Sequence, residues 1–141
     1  MARSCPCGTG ATFDECCGPL LAGAPAPTAE RLMRSRYTAF VRGDGGHLLR
    51  TWHPTTRPPR VDLDPGLVWT GLEVLRTEDG GPDDAYGVVE FRCGYVAAEP
   101  GVIHEVSRFA RTDEVWAYVR GRGVDVDPED ALGARRQETS P

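Results

Sequence analysis

Apolar residues recur at helical spacing between residues 28 and 43, which predicts an amphipathic helix. Thr28 is a suitable N-cap residue, and Glu30 places a carboxylate in the first turn, where it complements the helix dipole. Gly43 then ends the helix. The apolar positions that share one face are Met33, Tyr37, Phe40 and Val41.

A second, shorter helix is predicted to begin at Asp44 and to stop before Pro54. Because the connection between the two helices is so short, the second helix should fold back against the first. Its apolar residues are Leu48, Leu49 and Trp52.

Four apolar, β-branched stretches follow, and they predict strands. The segments between them are rich in Gly, Pro, Asp and Glu and too short to hold crossover helices, so neighbouring strands should pair antiparallel. This order predicts an α+β fold with helices on one face of an antiparallel, curved sheet. The predicted strands cover about residues 68–76, 86–97, 102–111 and 114–120.

The chain has 141 residues, 40% of them hydrophobic, which suits one compact domain with its own core. No apolar run approaches the roughly 18 residues that a membrane-spanning helix needs, and the first residues lack the apolar stretch of a signal peptide. We therefore expect no membrane association and a cytoplasmic location. Residues 124–141 carry many charges and few apolar side chains, which predicts a flexible tail.

The charge is spread unevenly along the chain. Residues 1–60 hold eight Arg against four acidic residues, whereas residues 61–141 hold eight Arg against seventeen, and the formal net charge is −5. This balance argues against a dedicated nucleic-acid-binding protein. Binding of a nucleic acid or another anionic partner remains a possibility only for the basic N-terminal part.

Four cysteines lie within thirteen residues: Cys5 and Cys7, then Cys16 and Cys17 after eight intervening residues. Nearby glycines allow the tight turns that bring four sulfurs together. Four thiolates at about 2.3 Å are the ligand set of a closed, structural zinc site. We call residues 4–19 the knuckle; it has so few apolar residues that it needs a metal ion in order to fold.

Other interpretations of the cysteines are weaker. A redox site would need a strained disulfide between adjacent Cys16 and Cys17, or a very small ring between Cys5 and Cys7. Iron–sulfur ligation is chemically possible, but the spacing is not typical of a cluster. Cys93 stands alone in a strand pattern and is interpreted as a small buried hydrophobic residue.

Several polar residues are candidates for acid–base chemistry in the main domain, and the weak catalytic candidates are His53, His104, Glu90 and Tyr37. Strand alternation places His104 on the face opposite Glu105, so these neighbours cannot line one pocket. The competing interpretation is structural: His53 caps a helix, and Glu105 pairs with an arginine. We expect His47, in a glycine-rich stretch, to be exposed.

Residues 5–18 resemble the SEC-C zinc motif. The segments 26–40, 51–54, 69–72 and 105–109 extend the resemblance to the YchJ-like family over about residues 4–121. This resemblance implies an N-terminal zinc knuckle followed by a nuclear transport factor 2-like (NTF2-like) domain, a cone of helices against a curved antiparallel sheet. Unlike some relatives, this chain has no second cysteine motif at its C-terminus. The resemblance supplies no activity.

From these observations we expect a knuckle at residues 4–19, a cone at residues 28–122 and a tail at residues 124–141, with the proline-containing linker keeping knuckle and cone energetically separate. The expected function is a zinc-binding adaptor that recognises a protein or another macromolecule through the knuckle and the basic first helix, which carries Arg31, Arg34 and Arg42. The alternatives are an isomerase- or dehydratase-like enzyme using the cone pocket, with non-enzymatic binding preferred, and a metal-handling protein.

Overall fold

The structure is a computed structural model that describes residues 3–124. The predicted tail therefore lies outside the described residues, apart from its first residue. None of the helices in residues 3–124 is long and apolar enough to cross a membrane.

The knuckle is a tight loop closed by backbone pairing. Ser4 bridges Thr12, and the Cys5 amide donates to the Ala11 carbonyl at 2.8 Å. Between them Gly8 and Gly10 adopt φ values of 87° and 91°, which side-chain-bearing residues rarely adopt. A 3-10 turn at Phe13–Glu15 and the one-turn helix α1 (Gly18–Leu21) follow.

The two predicted helices are present with the predicted caps. Helix α2 spans Ala29–Arg42; Thr28 Oγ1 accepts from the Arg31 amide at 3.1 Å, and Gly43 ends the helix with a φ of 74°. Helix α3 spans Gly45–Arg50, and the Asp44 side chain accepts from the amide of His47 at 3.0 Å.

Four strands form one antiparallel sheet in the order β1-β2-β3-β4, as the short connections predicted. Register shifts in β1 and β4 interrupt the pairing, and such bulges bend and twist a sheet. Strand β4 extends three residues past its predicted end, which adds Gly121 to the sheet. The strands are β1 (Val68–Asp79), β2 (Tyr86–Val96), β3 (Pro100–Thr112) and β4 (Val115–Gly123).

Helix α2 lies across one face of the sheet, and two glycines let its first turn approach closely. A Cβ on Gly87 would stand 2.6 Å from Gly80 Cα and 2.9 Å from Ala29 Cβ. The Ala29 amide donates to the Gly80 carbonyl at 2.9 Å. The β1–β2 hairpin thus holds the start of α2, and any larger residue at position 87 would push the two apart.

Knuckle and cone share one core, which argues against the expectation that they are energetically separate. The four knuckle cysteines belong to the same buried cluster as Leu32, Phe109 and Trp116. Within the linker, Leu20 is only 4% exposed and belongs to that cluster, as does Ala26. The linker therefore contributes apolar contacts to the shared core, contrary to the expectation that it offers little apolar surface.

Candidate metal centre and adjoining pocket

The four knuckle sulfurs converge in a buried cluster. The sulfurs of Cys5, Cys7, Cys16 and Cys17 all lie within 4.8 Å of one another, with 3.5 Å between Cys7 and Cys16 and 4.0 Å between Cys16 and Cys17. Tetrahedral zinc with bonds of about 2.3 Å places its sulfurs about 3.8 Å apart. The four residues therefore fit one tetrahedral metal ion, with every ligand position filled by a thiolate.

The thiols also influence one another's ionisation. The hydrogen bond from Cys17 lowers the pKa of Cys7, while the same contact and burial raise the pKa of Cys17. Burial likewise raises the pKa of Cys16. One thiolate is thus stabilised while the other thiols stay protonated, because thiols so close together cannot all ionise unless a cation lies between them. A divalent metal ion would be such a cation.

Two threonine hydroxyl groups contact the cysteine sulfurs. Thr38 Oγ1, fully buried on α2, donates to Cys17 Sγ at 3.3 Å and lies 3.7 Å from Cys5 Sγ. Thr9 Oγ1 lies 3.2 Å from Cys16 Sγ. Such contacts orient thiolate ligands and disperse their charge.

Three arginines of α2, Arg31, Arg34 and Arg42, contact the knuckle rather than forming a free basic face. Arg34 Nη1 donates to the Cys7 carbonyl at 2.7 Å, and Arg31 Nη2 donates to the Cys16 carbonyl at 3.1 Å. The Arg42 guanidinium stacks 4.3 Å from the centre of the Phe13 ring. Four thiolates around a divalent ion would carry a net charge of −2, and Arg31 and Arg34 place two guanidinium groups beside them, of which that of Arg34 also pairs with Glu30.

We predict that Arg34→Gln weakens zinc binding by about ten- to hundredfold, the usual effect of removing a group that supports metal ligands. The substitution leaves all four thiols in place but removes the donor to the Cys7 carbonyl. Competition with a chromogenic zinc chelator measures the change. Arg60→Gln, which removes an exposed ion pair with Asp62, is the matched control; equal affinities in the two variants would contradict the assigned role of Arg34.

His104 and Glu90 form a pair on the outer face of the sheet, away from α2. His104 Nε2 lies 2.7 Å from Glu90 Oε2, and Arg76 Nε donates to Glu90 Oε1 at 2.8 Å. The hydrogen bond from His104 and that from Arg76 lower the pKa of Glu90. The alternation that separates His104 from Glu105 is confirmed, but both of these catalytic candidates face away from the cavity under α2.

His53 has a local structural role. Its Nδ1 accepts from the Thr55 amide at 3.2 Å, and its own amide donates to the Tyr118 carbonyl at 2.7 Å. These contacts fix the turn after α3 to strand β4. The C-cap of α3 is Thr51, so His53 does not cap the helix as the structural interpretation expected; it holds the following turn, and it does not line the cavity.

His47 is buried, which corrects the expectation that it is exposed. It is 1% exposed, because α3 folds back on α2 and turns this side chain inward. Ser35 Oγ donates to the Leu32 carbonyl and so accepts from His47 Nε2 at 2.9 Å. The other ring nitrogen, Nδ1, has no partner among the described residues.

We predict that the His47 imidazole stays neutral in the folded protein from pH 8 to about pH 5. Burial and the nearby Arg50 lower its pKa from the usual 6.5 to about 4. The unfolded chain takes up this proton near pH 6.5 and the folded chain only near pH 4, so stability falls as the pH drops between these values. NMR titration of the ring checks this, and a midpoint near 6.5 would contradict it.

A cavity of about 170 Å³ lies between α2 and the sheet, close to the metal centre. Of the four catalytic candidates only Tyr37 lines it. Cys93 also lines it, 5% exposed, and burial raises the pKa of its thiol to about 12, in keeping with a small hydrophobic residue. The residues that line the cavity include six aromatic ones: Tyr37, Phe40, Trp52, Trp69, Phe91 and Tyr118.

The cavity contains two charged residues, Arg36 and Glu105, which are not among the four catalytic candidates. Arg36 Nη1 donates to the Leu48 carbonyl and to Thr51 Oγ1, at 2.8 and 2.7 Å. Its guanidinium lies 4.3 Å from the centre of the Tyr118 ring. Burial lowers the pKa of Arg36 to about 10, so the group stays cationic at neutral pH.

Glu105 projects from β3 into the same cavity. Ser107 Oγ donates to its Oε2 at 3.0 Å. Gly121 on β4 provides the space, since a Cβ there would stand 1.8 Å from the same oxygen. Burial raises the pKa of Glu105, against the opposing attraction of Arg36. Alternation places Glu105 on the same face as Ser107 and Phe109, and the structure shows that this face is the inner one.

The comparisons with known proteins agree with this architecture. Residues 28–121 match the family described as YchJ, middle NTF2-like domain, and residues 4–19 match the SEC-C motif. The solution structure of RPA3114, a SEC-C motif containing protein from Rhodopseudomonas palustris, superimposes with a TM-score of 0.76 at 33% identity. The match covers 87% of this chain and all of that one. The predicted NTF2-like α+β fold is confirmed.

Curated relatives cover nearly the same length. The UPF0225 protein SCO1677 of Streptomyces coelicolor is 55% identical over 122 residues, which are 86% of this chain and 96% of that protein. The UPF0225 protein Cgl1438/cg1626 of Corynebacterium glutamicum is 46% identical over 128 residues, 90% of this chain and 100% of that protein. The chain therefore belongs to the YchJ family, and it joins an N-terminal SEC-C motif to a YchJ-type NTF2-like domain.

Proposed function

We propose that this protein is a zinc-stabilised binding module of the cytoplasm, in which the metal is structural and the knuckle presents a recognition surface to another macromolecule. The observation that carries the proposal is the closed set of four buried sulfurs. Thiolates favour zinc over hard cations such as magnesium or calcium. A set of four thiolates leaves no open position on the metal for a substrate, and a reducing compartment keeps the thiols available.

We predict one zinc ion per chain in protein purified without added metal. Elemental analysis combined with native mass spectrometry measures both the metal and its stoichiometry. Iron in place of zinc, substoichiometric metal, or a Cys16–Cys17 disulfide under reducing conditions would contradict the prediction. Complete exchange with free zinc within minutes would favour a metal-handling role instead.

The exposed side of the knuckle supports a role in recognition. Its inner side is covered by α2, whereas Gly8, Thr9, Gly10 and Asp14 are exposed. Because Arg31, Arg34 and Arg42 of α2 already contact the knuckle, the proposed surface is the rim of the knuckle rather than the helix.

Affinity purification with three proteins tests this surface. Asp14→Arg changes the rim without touching a cysteine, and Asp83→Arg makes the same change at an exposed position in the β1–β2 turn. A partner retained by the wild type and Asp83→Arg but lost by Asp14→Arg supports the proposal. Identical sets of captured proteins for all three would contradict it.

The enzyme alternative would depend on Glu105, because neither His53 nor His104 lines the cavity. Glu105 is the carboxylate among the lining residues, and its hydrogen-bond donor is a serine rather than a second titratable group. Turnover of a small-molecule panel that disappears in Glu105→Gln, with zinc content unchanged, would overturn the binding-module proposal in favour of an enzyme.

A further inference from the structure

We propose that the cavity between α2 and the sheet is a binding site for a neutral, single-ring aromatic amide or lactam. This site is separate from the metal centre and from the proposed recognition surface of the knuckle. Three observations carry the proposal: the size of the cavity, its aromatic walls, and the polar groups of Arg36, Glu105 and Trp52 that line it.

The volume limits the ligand to about one ring. Cavities of about 150 Å³ lined by apolar side chains accept benzene. At about 170 Å³ this cavity has room for a six-membered ring with a small polar substituent. A fused-ring cofactor or a peptide side chain with its backbone would require the walls to move.

The walls are suited to a flat, aromatic ligand. Trp69 packs edge-on against Tyr37, with ring centres 6.2 Å apart, and at a tilt against Phe40, with ring centres 5.6 Å apart. Trp52 meets Tyr118 nearly at right angles, with 5.1 Å between ring centres. These aromatic pairs hold one another in place, so the cavity is preformed, and edge and face contacts favour another aromatic ring.

The polar groups define what the ring must carry. Arg36 donates to the described residues from Nη1, and Glu105 accepts from Ser107 at Oε2. The indole Nε1 of Trp52, which also lines the cavity, has no hydrogen-bond partner among residues 3–124. Although Arg36 and Glu105 attract each other electrostatically, no ion pair joins them. A ligand lying between them needs an acceptor for the guanidinium and a donor for the carboxylate, and an amide or lactam offers both side by side.

The charge balance selects a neutral ligand. The cavity already contains one cation and one anion, and both are held by neighbouring groups. A carboxylate or an ammonium ligand would leave one buried charge without a partner, which is costly in an apolar site. A neutral amide satisfies Arg36 and Glu105 without adding a charge.

Three probes with the same ring test the inference: benzamide, benzoate and benzylammonium. Calorimetry and NMR of the zinc-loaded protein measure the binding of each probe. We expect saturable binding of benzamide, at least about tenfold tighter than that of either charged probe. The indole N–H signals of Trp52 and Trp69 should shift, and that of Trp116, which does not line the cavity, should not. Tighter binding of a charged probe, or no binding of benzamide, would overturn the proposal.

Matched variants locate the probe. Glu105→Gln should weaken benzamide binding about tenfold, because a hydrogen bond to a charged acceptor becomes one to a neutral acceptor. Glu90→Gln makes the same substitution on the outer face and should leave binding unchanged. If Glu105→Gln fails to fold, Cys93→Leu fills the cavity without touching the polar pair. Unaltered benzamide binding in a folded Glu105→Gln or Cys93→Leu protein would overturn the assignment.

Discussion

Removing the metal is expected to unfold the cone together with the knuckle, at a loss of at least about 3 kcal/mol in the free energy of unfolding. The four cysteines lie in the same buried cluster as Trp116 and Phe109, and Thr38 connects α2 directly to two of the sulfurs. Without the ion, nothing holds the four buried sulfurs together. The knuckle then loses the shape in which the carbonyls of Cys7 and Cys16 accept hydrogen bonds from α2. Near-ultraviolet circular dichroism during titration with a strong chelator measures the loss.

The double substitution Cys16→Ser, Cys17→Ser should reproduce the effect of chelation. Cys93→Ser is the matched control, since it makes the same chemical change at a buried cysteine outside the metal centre. It should bind a full equivalent of zinc and lose no more than about 1 kcal/mol. A cone whose aromatic signals survive chelation would show that the knuckle folds independently after all.

Replacing Arg36 with methionine is expected to destabilise the protein by about 3 kcal/mol, or roughly 10 °C in Tm. Methionine keeps much of the buried volume but leaves the Leu48 carbonyl and Thr51 Oγ1 without their donor. It also removes the cation that lies over the rings of Trp52 and Tyr118. Arg36 thus connects α2 to α3 and to β4, and its loss acts on all three elements.

Thermal unfolding of Arg36→Met beside Arg108→Met separates this role from a general loss of charge. Arg108 is exposed on the outer face of β3 and makes no ion pair within residues 3–124. The Arg108 variant should stay within about 0.5 kcal/mol of the wild type. A similarly small effect of Arg36→Met would mean that the buried guanidinium does not hold the helices to the sheet.

The helices, the strands and the cysteine cluster were predictable because each depends on local sequence. Thr28 and Gly43 are capping residues whose position fixes both ends of α2, and short turns force the four strands into one antiparallel order. Four cysteines within thirteen residues are constrained to meet by chain length alone. The predicted ends of the strands were less accurate. Strand β4 continues through Gly121 to Gly123 because β3 pairs with it there, and this tertiary contact is not visible in the local sequence.

The contents of the cavity were not predictable in the same way. Arg36 and Glu105 are 69 positions apart, and they meet only because α2 crosses the particular face of the sheet that carries Glu105. Alternation separates His104 from Glu105 but does not say which of them points inward. His47 looked exposed because its neighbours are glycines, whereas those glycines belong to a helix that turns the ring towards Ser35.

The integrated metal centre is tested most directly by zinc X-ray absorption spectroscopy on protein purified without added metal. The account predicts one zinc ion per chain with four sulfur ligands at about 2.3 Å and no nitrogen or oxygen ligand. The same spectrum should be obtained from the Cys93→Ser protein and be lost in the Cys16→Ser, Cys17→Ser protein. A first shell with fewer than four sulfurs, or one that contains nitrogen or oxygen, would contradict a closed structural site formed by Cys5, Cys7, Cys16 and Cys17.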